Sequence, residues 1–139
     1  MASIRKDILI DVRPEVVWAA VRDAGAVHQR LGHGFLVDAH LDGDARVVTF
    51  ANGAVAREVL VDVDDEARRF VYSVVEGSLP ITHHNASMQV FDEGAGHSRI
   101  VWITDVLPDE VAAPISVLVE QAARAMKQTL EQAAARNTA

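Results

Sequence analysis

Histidine is the side chain best suited to chemistry near neutral pH, and this sequence contains six histidines. Between Ile81 and Phe91 apolar and polar residues alternate, which predicts a strand whose successive side chains point to opposite faces. Parity places His84 on the apolar face and His83 on the polar face. An imidazole on an inner face could orient a ligand carbonyl or hydroxyl, act as a general base, or be a core histidine bonded to the backbone. We expect His84 to contact a ligand.

Two other predicted strands would bring aromatic rings to the same inner face. Trp102 and Thr104 share a face with apolar neighbours, and Tyr72 does the same between Phe70 and Val74. A buried indole N–H or phenolic hydroxyl needs a hydrogen-bond partner, which a ligand could supply. Core packing is the simpler role for the Trp102 ring, and Thr104 would add a hydroxyl group. Both rings and this hydroxyl are therefore candidate ligand contacts.

Glu58 is a further candidate for acid–base chemistry. The parity of residues 54–63 gathers three valines on one face and sends Glu58 to the other, so it predicts a surface glutamate paired with Arg57 or Arg46. If Glu58 pointed inward instead, burial in an apolar cavity would raise its pKa, and it could exchange protons with His84.

The residue types that are missing exclude several kinds of chemistry. The sequence has no cysteine, so disulfides, thiolate nucleophiles and iron–sulfur clusters are ruled out. It also lacks a His-x-x-x-His or His-x-His spacing, a Gly-x-Ser-x-Gly turn and a glycine-rich phosphate loop. We therefore expect no metal ion and no cofactor.

Charge and length limit the partners and the architecture. The 13 Lys and Arg residues against 20 Asp and Glu residues give a net charge of −7, which argues against nucleic acid or an anionic membrane as the main partner. No run of about 18 apolar residues and no signal-peptide core occurs, so we expect a cytoplasmic protein without membrane insertion. Its 139 residues fit a single domain, 1–139.

Hydrophobic periodicity predicts an α+β arrangement of the elements that position these residues. Two short helices follow the first strand, one beginning at Pro14 and ending near Gly25 and the other reaching Leu31, and a helix of some twenty residues follows Pro108. The Asn52-Gly53 pair predicts a hairpin. The predicted strands cover residues 3–12, 35–42, 45–51, 54–63, 69–76, 81–91 and 98–106.

The long helix would cover the apolar face of the antiparallel sheet. Alanines are frequent on its apolar stripe and beside it, and a sheet of seven strands curls as it twists. Small side chains facing a curled sheet would leave a cavity, although the high helix propensity of alanine explains the same composition equally well.

Four stretches of the sequence resemble the bacterial polyketide cyclase/dehydrase branch of the START-like (SRPBCC) superfamily. One is the first strand with the Val17-Trp18 pair and Asp23 that follow it, and another is the Asn52-Gly53 turn with Arg57-Glu58. The other two are residues 69–80 and residues 98–108. The resemblance implies the helix-grip fold, in which a curved seven-stranded antiparallel sheet wraps around a long C-terminal helix with two short helices between strands 1 and 2.

The resemblance also implies a cavity for a hydrophobic small molecule such as a lipid, a polyketide or an aromatic compound, and an inward Glu58. The usual volume of such pockets is roughly 300 to 1,000 Å³. Combined with parity, it predicts these ligand contacts: Phe35, Tyr72, His84, Met88, Trp102, Thr104 and Met126.

Two other functions remain open. Polyketide cyclase or dehydratase chemistry would use His84, with Glu58 or Tyr72 as a second proton-transfer group and without a cofactor. An interaction module is the third possibility, because Val101 and Ile103 make the outer face of the last strand apolar enough for a homodimer.

Overall fold

The computed structural model describes residues 2–138, which form one antiparallel sheet of seven strands with the helices predicted from the sequence. The strands are β1 (Ala2–Ile10), β2 (Leu36–Asp42), β3 (Ala45–Phe50), β4 (Val55–Asp64), β5 (Arg69–Glu76), β6 (His83–Gly94) and β7 (His97–Leu107). The helices are α1 (Pro14–Arg22), α2 (Val27–Arg30) and α3 (Ala112–Thr138), with single 3₁₀ turns at Ala24–Ala26 and Asp109–Val111.

Six strands of the sheet form a meander, and the first strand joins one edge of it. Its order is β1-β7-β6-β5-β4-β3-β2. Each strand from β2 to β6 pairs with the next one in the chain, and β1 pairs with β7. The predicted hairpin joins β3 to β4, with Gly53 at a φ of 89°, a left-handed conformation that glycine adopts without strain. These pairings confirm the predicted antiparallel arrangement.

Helix α3 packs its apolar stripe against the inner face of the sheet. It has 27 residues rather than the predicted twenty or so, and its buried residues recur at helical spacing. They are Ile115, Val119, Ala122, Ala123, Met126, Thr129 and Leu130. Within residues 2–138 no helix combines the length and apolarity needed to cross a membrane.

A β-bulge in β4 overturns the parity prediction for Glu58. Leu60 pairs with Tyr72 and Asp62 with Val71, so Val61 is the extra residue. The alternation therefore shifts at Val61, which is 54% exposed, so Val59 and Val63 lie on opposite faces although parity placed them on one. Glu58 lies on the inner face and is buried, so the predicted outward position is wrong.

Asp65, in the turn between β4 and β5, accepts hydrogen bonds that link α1 to the sheet. The Trp18 indole Nε1 donates to one Asp65 carboxylate oxygen at 2.9 Å, and Arg22 Nε donates to the same oxygen at 2.7 Å. Trp18, part of the stretch that carries the family resemblance, thus has a structural role outside the predicted ligand contacts.

The outer face of β7 is less open than the sequence suggested. Strand β7 lies between β1 and β6, where Val101 is buried and Ile103 is half-buried. Little apolar surface is therefore free at these two residues. Dimerisation through this face stays a prediction, which analytical ultracentrifugation would test.

Candidate functional site

A cavity of about 150 Å³ lies between the inner face of the sheet and α3. Most of its wall is apolar, and α3 contributes Ile115, Leu118, Val119, Ala122 and Met126. Its volume is below the roughly 300 to 1,000 Å³ of a drug-sized pocket and matches that of cavities that bind a single benzene ring. A compound with one ring therefore fits the space.

The cavity reaches the surface between the β3–β4 hairpin and the loop from Gly77 to Ile81. Exposed residues line it there, including Val55, Gly77 and Ser78. Phe35 and Phe50 form part of the wall on this side, with their rings edge to face at 5.5 Å between centroids. A ligand would have a path to solvent at this mouth.

All seven predicted ligand contacts line the cavity. Parity was correct for His84 on β6 and for Trp102 and Thr104 on β7, and Phe35 lies just before β2. The seven residues are Phe35, Tyr72, His84, Met88, Trp102, Thr104 and Met126. Their binding role stays a prediction.

Sequence reasoning missed part of the wall. Val27 and Leu31 come from the region of α2, and Leu79 and Ile81 come from the loop between β5 and β6. Neither segment has a regular alternation, so no periodicity signal marks which of their side chains point inward.

Glu58 and Arg46 form a buried ion pair in the cavity wall. Arg46 Nε donates to Glu58 Oε1 at 2.7 Å, and the two side chains are 6% and 11% exposed. The two residues face each other across β3 and β4. The guanidinium also lies over the rings of Phe70 and Tyr72, at 5.0 Å and 5.2 Å from their centroids.

This pair decides what Glu58 can do. Its inward position agrees with the family resemblance, and one of the two predicted arginine partners, Arg46, is the one that it contacts. The carboxylate is thus neutralised by a guanidinium instead of standing free in an apolar cavity. Within residues 2–138 no hydrogen bond joins Glu58 to His84, so the two do not form the acid–base pair considered from the sequence.

Burial keeps Tyr72 in its neutral, protonated form. It raises the pKa of the Tyr72 hydroxyl well above its usual value, and the negative charge of Glu58 acts in the same direction. The Arg46 guanidinium opposes this rise. At physiological pH Tyr72 therefore offers the cavity a hydroxyl group that can donate or accept a hydrogen bond.

His84 is neutral for a similar reason. Burial, followed by the proximity of His83, lowers the pKa of His84 to about 4. The backbone N–H of Val74 donates to His84 Nδ1 at 3.0 Å, so Nδ1 is the acceptor nitrogen and the ring hydrogen is on Nε2. His84 therefore presents a hydrogen-bond donor at Nε2.

Acid is expected to destabilise the protein through His84. Between its folded pKa of about 4 and its ordinary value of 6.5 the unfolded chain binds more protons, so the free energy of unfolding falls as the pH is lowered. We expect this group to contribute roughly 2–3 kcal/mol of that loss. Urea denaturation at a series of pH values measures the free energy of unfolding, which should depend less on pH in His84→Gln than in the unaltered protein.

The matched control is His83→Gln, because His83 is the exposed neighbour on the same strand. It should keep most of the slope of the unaltered protein, because burial is the larger cause of the lowered pKa of His84 and the proximity of His83 the smaller. Equal slopes for the two variants would show that another group causes the acid sensitivity.

The sequence profile of a family described as polyketide cyclase/dehydrase and lipid transport matches residues 1–137. The chain belongs to this polyketide cyclase/dehydrase and lipid transport family. Among curated proteins, no sequence matches it significantly.

Solved structures place this family member in the START-like group of folds. A Bacillus thuringiensis protein is 19% identical, with a TM-score of 0.83 over 93% of this chain and 98% of that chain. A START superfamily protein from Mycobacterium smegmatis is 14% identical, with a TM-score of 0.73 over 94% and 97% of the two chains.

The di-domain aromatase/cyclase BexL, from the BE-7585A biosynthetic pathway, is 17% identical, with a TM-score of 0.73. The match covers 95% of this chain and 46% of BexL. These likenesses confirm the predicted helix-grip fold, and at such low identity the fold is all that they show.

Proposed function

We propose that the whole chain is one binding domain, which encloses a small apolar molecule between the sheet and α3. The observation that carries the proposal is the cavity itself, whose mostly apolar wall includes a few polar side chains. An empty apolar space of this size would cost stability, and a ligand offsets that cost. The membership of a family that includes lipid transport supports this role.

The protonation states of the polar groups favour binding over proton-transfer catalysis. A general base needs a free lone pair, but the lone pair of His84 Nδ1 is used by Val74 and Nε2 carries a hydrogen. The Glu58 carboxylate is held by Arg46, and Tyr72 keeps its proton. These groups suit the orientation of a ligand by hydrogen bonds, so cyclase or dehydratase chemistry is not the function that we propose.

Native mass spectrometry of protein purified from a bacterial host tests the proposal. We expect a fraction of the protein to carry one small molecule, which organic solvent should extract for identification. Protein without a bound molecule that also fails to bind a panel of lipids, aromatic compounds and polyketides would contradict the proposal. In that case an interaction role would be the better interpretation.

A further inference from the structure

We propose that the Trp102 indole and the Tyr72 hydroxyl form a relay that selects ligands whose polar group is an uncharged acceptor oxygen. In this relay Trp102 donates to Tyr72, and Tyr72 donates to the ligand. The inference rests on the proposed binding function and adds the chemistry of the group that the cavity recognises.

Trp102 supplies the first step of the relay. Its side chain lines the cavity at 7% exposure, and its Nε1 is buried with no hydrogen-bond partner within residues 2–138. A buried donor without a partner costs free energy, so such a group in a native protein calls for a functional explanation. An indole nitrogen can donate a hydrogen bond but cannot accept one.

The Tyr72 hydroxyl is the acceptor beside this indole. The two side chains come from strands that flank β6, where Tyr72 pairs with Ala86 and Trp102 pairs with Met88. The approach of the indole N–H slightly offsets the rise in the pKa of Tyr72, although the two groups do not complete a hydrogen bond of normal geometry.

The direction of the relay follows from these donor and acceptor properties. Because Trp102 can only donate, Tyr72 must accept from it, and the hydroxyl hydrogen of Tyr72 is left for a third group. A ligand oxygen that accepts this hydrogen would polarise the hydroxyl and strengthen the bond from Trp102. His84 Nε2–H, fixed by the bond from Val74, adds a second donor in the same wall. The donors at Tyr72 and His84 thus favour a ligand that brings an acceptor oxygen to this part of the wall.

The charges of the wall indicate that the acceptor is uncharged. Arg46 is neutralised by Glu58, and both His84 and Tyr72 are neutral near pH 7. A carboxylate or an ammonium group in this cavity would lose its hydration without gaining a free counter-charge. A ketone, ester or ether oxygen meets the requirement.

The test compares two single-ring probes of the same shape, acetophenone and 2-phenylpropene. They differ by an oxygen against a CH₂ group, so packing contributes equally to both. We expect the unaltered protein to bind the ketone about tenfold more tightly than the alkene, and Tyr72→Phe to bring the ratio of the two affinities close to one. Isothermal titration calorimetry measures all four affinities.

NMR of the indole N–H groups gives a second readout that needs no variant. The sequence has two tryptophans, so two indole signals are expected, and Trp18 is an internal control because it already donates to Asp65. The ketone should move the Trp102 signal downfield relative to the alkene complex, which contains the same ring system, and leave the Trp18 signal in place. This measurement uses the unaltered protein, so it tests the relay even if Tyr72→Phe does not fold.

Two results would overturn the relay, and they can be told apart. Equal binding of both probes, or a ketone preference that survives in Tyr72→Phe, would refute the relay and leave the apolar cavity as a binding site. Binding of neither probe would refute the proposed function together with the relay.

Discussion

Replacing Glu58 by glutamine is expected to lower the free energy of unfolding by about 3–5 kcal/mol, a large part of the stability of a typical domain. The reason is the guanidinium of Arg46, which is 6% exposed and depends on the Glu58 carboxylate 2.7 Å away for its counter-charge. The variant leaves that positive charge buried. The rings of Phe70 and Tyr72 offer it only a weaker cation–π attraction.

Urea denaturation followed by circular dichroism measures this loss. The single variant Arg46→Met should lose a similar amount, because it leaves the carboxylate unpaired. The double variant Arg46→Met with Glu58→Leu should recover most of the stability, since it removes both charges and fills the space with apolar groups.

The neighbouring ion pair of Arg57 and Asp42 is the matched control. It joins the same part of the sheet at 2.6 Å, but its side chains are 29% and 60% exposed, so Asp42→Asn should change stability little. A loss for Glu58→Gln no larger than that of the control would mean that water reaches the buried pair and compensates its charge.

Ala122→Leu is expected to abolish ligand binding, by at least about a hundredfold, and to leave the fold intact. Ala122 lies on the buried stripe of α3 and lines the cavity. A leucine there would occupy much of the 150 Å³ that the ligand needs. Leucine is a strong helix former, and the empty space accommodates it without the strain that overpacking a filled core would cause.

The binding assay is calorimetric titration with the ligand extracted from the protein, or with acetophenone. The control Ala113→Leu makes the same change at an exposed position of the same helix and should leave the affinity unchanged. Thermal denaturation should show that both variants are folded. Unchanged affinity in folded Ala122→Leu would contradict the placement of the ligand against α3.

Regular periodicity explains why so much of the site could be predicted from the sequence. Parity along β6 is uninterrupted from His84 to Val90, so it identified the inward histidine correctly. The apolar stripe of α3 identified Met126 in the same way. Each of these predictions needed only a strand or helix that keeps its repeat.

The remaining part of the site depends on departures from that repeat. The bulge at Val61 changes which residues of β4 point inward, and no residue type in the sequence marks its location. The choice of Arg46 over Arg57 as the partner of Glu58 depends on the register between β3 and β4, which a hairpin turn fixes only when its geometry is known. Loop residues such as Leu79 lie in a segment without hydrophobic periodicity, so no pattern marks them as part of the wall.

The pairing of β1 with β7 also determines the order in which the protein can assemble during synthesis. Strands β2 to β7 can each join a neighbour that has just left the ribosome, but Ile8 must wait for Ile100. Contacts so distant in the chain form late, because the closure of a long loop is costly. Helix α3 emerges later still, so the wall that it adds to the cavity is completed last. The last helix is thus the last part of the proposed binding site to form, so we expect ligand loading to follow its translation.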